Sequence, residues 1–302
     1  MDGWAGRFAP SPTGPLHVGS LIAAVASRAD ARARDGRWLL RIDDIDPPRE
    51  ASGARESIPR TLERHAMPAD GPIRYQSARL DRYHEALGAL AADGLLYRCR
   101  CTRRMLVGHE RYPGTCRGER ADPDDVESLR PSAVPWARPG DALRLRLSGR
   151  LRVDDAVQGA MDVDLASGPG DIVVRRRDGL IAYPLASAVD DAEVAHVVRG
   201  ADLLAATAAQ QAVLERLGLD VPGWAHVPVA IEADGRKLGK STDAPPVDEG
   251  RPLETLLAVW RFLGQPTLTV GSSDDFWRVA PDAWSLGAVP HLRAQALPEG
   301  VV

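Results

Sequence analysis

The segment from Gly3 to Pro48 constrains the fold more than any other part of the chain. GWAGRFAPS reads as a short buried strand that ends at Pro10, and PSPTGP as a stiff turn. LHVGSLIAAVASRADARARDG is alanine-rich, carries apolar residues at helical spacing, and stops at Gly36. RWLLRIDDID is a second strand, closed by Pro47 and Pro48. Strand, glycine turn, helix and strand in that order predict the opening of a doubly wound α/β sheet.

The remainder divides by character. Residues 1–96 form the first half of this sheet domain, with two or three helical stretches between Ala51 and Gly94. Residues 97–170 hold all three cysteines, a polar Pro/Asp-rich connector and alternating runs such as DALRLRLSG, and read as an inserted subdomain. Residues 171–242 return to the sheet. They contain a hairpin turning at Asp178–Gly179 and leading into a helix, a strand then turn in VAHVVRGADLL, the helix TAAQQAVLERLGL, and in AHVPVAIEADGRKLGKST a last strand, a turn at Asp234–Gly235 and the lysine loop. Residues 243–302 give one apolar helix, PLETLLAVWRFLG, and a Pro/Ser/Asp-rich tail.

Composition excludes several classes. No apolar run approaches a membrane span, and the N-terminus lacks a basic region followed by an apolar one, so neither a membrane protein nor a secretory signal is expected. Three cysteines, an odd number, argue against a disulfide framework and for a reducing, cytoplasmic setting. A net charge of −4 argues against a nonspecific nucleic-acid binder, and no DNA partner is expected. RNA contact would need a local patch. The candidates are Arg98, Arg100, Arg103, Arg104, Arg111, Arg117 and Arg120, which Glu110 and Glu119 oppose; a solvated charged face is the simpler reading of that stretch alone.

Two short segments carry chemistry. In APSPTGPLHVGS, a stiff turn meets a helix start, where free N–H groups and the helix dipole favour phosphate. Gly19 lets a ligand approach the backbone, and His17 is placed to hydrogen-bond a phosphate oxygen. In GRKLGKST, Lys237 and Lys240 are the only lysines among 38 basic residues. Lysine is a compact charge on a flexible stem and follows phosphate charge as it develops, which the rigid arginine fork does not.

Together HVGS and KLGKS resemble the paired motifs of class I aminoacyl-tRNA synthetases. GRFAPSPTGPLHVGSL followed by LLRIDDIDPPRE resembles the glutamyl type. The IDPPRE ending, the C-x-C cluster and the short chain resemble the truncated glutamyl-queuosine tRNA(Asp) branch, and the likeness runs from about Gly6 to Gly264. It implies a Rossmann-type parallel-sheet nucleotide-binding domain with an inserted Cys-containing subdomain and a short helical C-terminal segment. The implied activity is ATP-dependent, tRNA-independent activation of L-glutamate and transfer of the glutamyl group to queuosine at the wobble position of tRNA(Asp). Two alternatives stay open. One is a conventional glutamyl-tRNA synthetase without an anticodon domain; the other is an inactive paralogue that binds RNA or a partner protein.

Residue by residue, the likeness implies catalytic roles for His17, Lys240 and Lys237, and ATP contacts at His17, Gly19, Ser20 and Lys240, with ATP arriving as its Mg2+ complex. It implies glutamate contacts at Arg7, Phe8, Ala9, Pro10, Ser11, Asp43, Tyr183 and Arg199. Asp43 stands where the family has Glu, and Gly239 where the lysine loop has Ser. For the cysteines, the likeness implies one structural Zn2+ held by Cys99, Cys101, Tyr112 and Cys116, while His109 is the chemically easier fourth ligand. A monomer is expected.

Overall fold

A computed structural model describes residues 3–128, 140–232, 235, 236, 238 and 245–297. The main sheet has seven strands. β1 (Ala5–Phe8) lies inside it, parallel to β2 (Arg37–Ile42) on one side and to the central strand β9 (His196–Gly200) on the other. β3 (Arg74–Tyr75) continues outward from β2, and β10 (Gly223–Val227) from β9, both parallel. The chain thus winds one way from β1 to β3 and the other way from β9 to β10. A crevice between diverging connections opens at the carboxyl ends of β1 and β9, the usual ligand position in such sheets.

Helix α1 (Val18–Arg32) bridges β1 and β2 and buries Leu21, Ile22, Val25 and a row of alanines. Small side chains let it lie close to the strands. Asp35 turns the chain out of it in the left-handed region (φ 51°), and Gly36 follows, where a Cβ would lie 2.4 Å from the Trp4 ring. α2 (Ala54–Arg64) and α3 (Leu80–Ala92) occupy the expected helical stretch after Ala51.

The segment read as an insert is divided between two sheets. β4 (Leu96–Cys99), β5 (Ala142–Leu145) and β8 (Ile172–Arg175) form a separate antiparallel sheet, with the short α4 (Pro123–Ser128) after the cysteines. The hairpin of β6 (Arg150–Asp155) and β7 (Gly159–Asp164) instead joins the main sheet, because Asp155 pairs with Trp224 of β10. The Asp178–Gly179 turn is present with Gly179 at φ 93°, but it closes on the single bridge Arg175–Ile181 before α5 (Tyr183–Asp191) begins.

The expected last strand is broken at Pro228, which has no N–H for a ladder. β10 ends at Val227, and β11 (Val229–Ile231) pairs instead with β12 (Ala294–Ala296). α6 (Leu204–Arg216) packs on α5. α7 (Pro252–Phe262) and α8 (Ser273–Ala283) lie over α1, where Trp260, Phe276 and Leu256 close the core. Among the described residues, no helix is long and apolar enough to cross a membrane.

Candidate active site

A cavity opens at the switch point between β1 and β9, below the start of α1. Nine of the residues expected from the sequence line it: Arg7, Phe8, Ala9, His17, Gly19, Ser20, Asp43, Tyr183 and Arg199. Pro10 and Ser11 do not. The chain turns outward after Ala9, Ser11 is exposed, and the Pro10 carbonyl instead accepts from the Asp43 N–H at 3.0 Å.

Arg7 sits in the middle of an otherwise apolar strand and is buried, so it needs an anion. Asp191 supplies one: Arg7 Nε and Nη2 donate to its two oxygens at 3.0 and 2.9 Å. The same carboxylate accepts from Arg41 Nη1 at 2.7 Å, and Arg41 reaches back to Asp43 through Nε (2.6 Å) and Nη2 (3.2 Å). Arg7 therefore lines the cavity while already gripping an internal carboxylate. The two acids respond in opposite directions. Burial would raise Asp191, but the Arg7 and Arg41 cations hold it well below the usual carboxylate range. At Asp43 burial, with the Asp191 charge, wins over Arg41 and the weaker pull of Arg7, and its pKa is pushed up to about 6.

Arg199, also buried, reaches the cavity from β9. Nε donates to His226 Nε2 at 2.9 Å, Nη2 donates to Gln210 Oε1 (2.7 Å) and Thr207 Oγ1 (2.9 Å), and Nη1 lies 3.5 Å from Tyr183 Oη. Burial lowers its pKa, yet a guanidinium stays charged at neutral pH.

His17 caps α1. Its Nδ1 accepts from the Ser20 N–H at 3.3 Å, and Ser20 Oγ lies 3.2 Å from Nε2. The ring serves the helix start, and donation to a phosphate would take Nε2 away from Ser20. Lys237, Gly239 and Lys240 lie outside the described residues. Both flanks of their loop are anchored beside α1. Leu238 donates its N–H to the Ala230 carbonyl (2.8 Å) and is buried in the cavity wall. A Cβ on Gly19 would come within 3.1 Å of the Leu238 carbonyl oxygen, so glycine permits this approach. Pro246 bridges to His17, and Val247 N–H donates to the Leu16 carbonyl at 2.9 Å.

The cysteines form a second candidate site. The sulfurs of Cys99, Cys101 and Cys116 all lie within 4.8 Å of one another. Tyr112 Oη is 3.5 Å from Cys99 Sγ and 3.7 Å from Cys101 Sγ, and accepts from the Cys116 N–H at 2.8 Å. His109 is exposed and does not join this group. Arg144 is a neighbour that sequence reading missed: its Nε donates to Cys99 Sγ (3.3 Å) and its guanidinium lies 3.7 Å over the Tyr112 ring. The basic stretch nearby is partly neutralised. Arg98 pairs with Asp125, Arg100 with Asp141 and Glu119, and Arg117 with Asp171; Arg103, Arg104 and Arg111 are exposed.

Residues 5–251 match the family model described as tRNA synthetases class I (E and Q), catalytic domain. The chain belongs to the class I tRNA synthetases of the glutamate and glutamine group. Its relatives include a glutamyl-Q tRNA(Asp) synthetase of Aromatoleum aromaticum, 44% identical over 97% of this chain and 93% of the relative. Another, from Chromobacterium violaceum, is 45% identical over 95% of each chain. The fold matches a glutamate tRNA ligase of Elizabethkingia meningosepticum with TM-score 0.75, at 24% identity, over 96% of this chain and 66% of that one. A second, from Elizabethkingia anophelis, has TM-score 0.76 at 24% identity, over 96% of this chain and 67% of that one.

Within this synthetase-family chain, the unforeseen site residues are charges and amides that hold the foreseen ones: Arg41, Asp191, His226, Thr207 and Gln210. One signal pointed to the first two. A charged residue inside an apolar run, as in RWLLRI and ASAVDD, must find a buried partner.

Proposed function

We propose that the cavity binds L-glutamate and ATP, forms glutamyl-adenylate without tRNA, and passes the glutamyl group to queuosine at the wobble position of tRNA(Asp). The carrying observation is identity of 43–45% over nearly the whole length of glutamyl-Q tRNA(Asp) synthetases. In the first step a glutamate α-carboxylate oxygen forms a bond to the α-phosphorus of ATP, and the bond to the departing pyrophosphate breaks. The carboxylate is already ionised, so no general base is needed. Catalysis is then positioning and charge neutralisation. Arg199 with Tyr183, and Arg7 beside them, face the glutamate carboxylates; Asp43 faces the ammonium group. His17, Gly19 and Ser20 meet ATP, and Lys240, assisted by Lys237, follows the phosphates. The testing assay is ATP–pyrophosphate exchange without tRNA: exchange that requires glutamate supports the reading, and an inert protein supplied with magnesium contradicts it.

The Asp43 assignment has a pH consequence. As pH falls through about 6, Asp43 is protonated and loses the charge that faces the ammonium group. KM for glutamate should rise roughly tenfold per unit below that point, while KM for ATP stays level. Asp43→Asn should bind glutamate weakly and lose this pH dependence. For stability the sign is opposite. An acid whose folded pKa is raised favours the native state more as pH falls from about 6 to its unfolded value of 3.8. Activity should therefore fall in a window where this group does not promote unfolding.

Three thiols and a phenol converging within contact distance fit a four-ligand Zn2+ site. Cys99, Cys101, Tyr112 and Cys116 would hold the ion, and bound zinc would clamp the segment without entering the chemical step. The purified protein should carry about one zinc per chain. Cys116→Ser should lose it, Tyr112→Phe should bind it more weakly, and His109→Ala should match the wild type. Metal content by mass spectrometry reads all three.

A further inference from the structure

Arg199 offers five N–H donors, and four have acceptors among the described residues: His226, Gln210, Thr207 and Tyr183. Among the described residues one Nη1 hydrogen has no acceptor; it lies beside Tyr183, which lines the cavity together with Arg199. The opposite edge is fixed by His226, whose ring joins two parts of the chain. Its Nε2 accepts from Arg199 and lies 3.1 Å from Thr207 Oγ1, which donates to the Leu203 carbonyl at 3.2 Å, and its Nδ1 lies 2.5 Å from Asp155 Oδ2. The other Asp155 oxygen accepts three backbone N–H groups, from Val157 (3.0 Å), Gln158 (2.8 Å) and His226 itself (3.2 Å). All of these side chains except Tyr183 are buried.

We propose that Asp155 and His226 are positioning residues for glutamate binding: Asp155 fixes His226 as the Nδ1–H tautomer, and the free Nε2 lone pair then sets the angle of the Arg199 guanidinium. The inference rests on the reading of Arg199 as a glutamate contact. It gives the β6–β7 hairpin a role, since the pairing of Asp155 with Trp224 delivers this carboxylate beside β10. The charge states agree with the geometry. Burial works against ionising Asp155, but the His226 bond and the backbone N–H groups outweigh it and hold the pKa near 2. Burial, helped by the Arg199 and Arg7 cations, lowers His226 against the pull of Asp155, so the ring is mostly neutral at pH 7.

Asp155→Asn makes a directed test. The three backbone N–H groups retain the asparagine oxygen on their side, which turns its NH2 toward His226 Nδ1. The ring must then accept at Nδ1 and carry its proton on Nε2, facing the Arg199 Nε–H donor to donor. We expect KM for glutamate to rise roughly ten- to hundredfold, the scale of a lost hydrogen bond to a charged group, with KM for ATP unchanged. Nitrogen-15 NMR should show Nδ1–H at His226 in the wild type and Nε2–H in the variant. His226→Gln, which can still donate to Asp155 and accept from Arg199, should keep most of the affinity, and His226→Leu should not. A wild-type Nε2–H tautomer overturns the proposal even if the variants fold poorly. So does an equal rise in both KM values, or an unchanged glutamate KM in Asp155→Asn while Arg199→Ala raises it. If Arg199→Ala itself leaves glutamate KM unchanged, the underlying assignment fails and the proposal falls with it.

Discussion

Lys240→Ala is expected to lower glutamate-dependent ATP–pyrophosphate exchange by about a hundredfold or more, the scale for removing one donor to developing transition-state charge. The loss should fall mainly on kcat, because charge on the departing phosphates is greatest in the transition state. The reason lies in composition: this chain uses arginine at every other basic position and keeps lysine only at Lys237 and Lys240. Lys240→Arg preserves the charge but replaces a flexible point charge by a planar fork, and should recover only part of the rate. Lys237→Ala should cost less than Lys240→Ala. Leu238 lies in the cavity wall, and Val247 is bonded to Leu16 just before α1, so this segment is held beside the cavity at Leu238 and beside α1 at Val247. Unimpaired exchange by Lys240→Ala, measured at saturating ATP, would remove the proposed role.

Asp191→Ala should produce the largest stability loss of any single change in the site. Its carboxylate neutralises two buried guanidiniums, Arg7 and Arg41, and also lies 3.3 Å from Ser187 Oγ. Removing one member of a buried ion cluster costs roughly 3–5 kcal/mol, which for a chain of this length is a fall in Tm of roughly 5–8 °C. Asp191→Asn keeps the shape but only one acceptor oxygen, and should lose less. The pKa of Asp191 is depressed in the folded state, so its contribution is fully present above the unfolded value of 3.8 and is lost only as pH falls through the lower folded value. The Tm gap between wild type and Asp191→Asn should therefore stay constant from pH 8 to about 5. A gap that closes near pH 6 would mean the stabilising charge belongs to another group.

The opening of the fold was legible because its signals are local and dense. Pro10, Gly36 and Pro47 punctuate two apolar strands and one alanine-rich helix, and these became β1, β2 and α1. The fate of residues 150–164 was not legible. Alternation in LRVDD and MDVD announces strands but does not say which sheet they join, and the answer depends on one pairing with β10. Pro228 was visible, yet its effect, a strand that changes partner to β12, needed the tail in place. Short motifs and the family likeness named Arg7, His17, Gly19, Ser20, Asp43, Tyr183 and Arg199, all of which line the cavity. A charge inside an apolar run marked Arg41 and Asp191 as needing buried partners, but their pairing was hidden, because they stand 150 positions apart. No window along the chain contains both.

Transfer of labelled glutamate separates queuosine-directed glutamylation from conventional tRNA charging. The protein, supplied with ATP and Mg2+, is offered tRNA(Asp) with queuosine, tRNA(Asp) without it, and tRNA(Glu). Label is expected on queuosine-containing tRNA(Asp) alone. Label entering tRNA(Glu), or entering tRNA(Asp) regardless of queuosine, would contradict it.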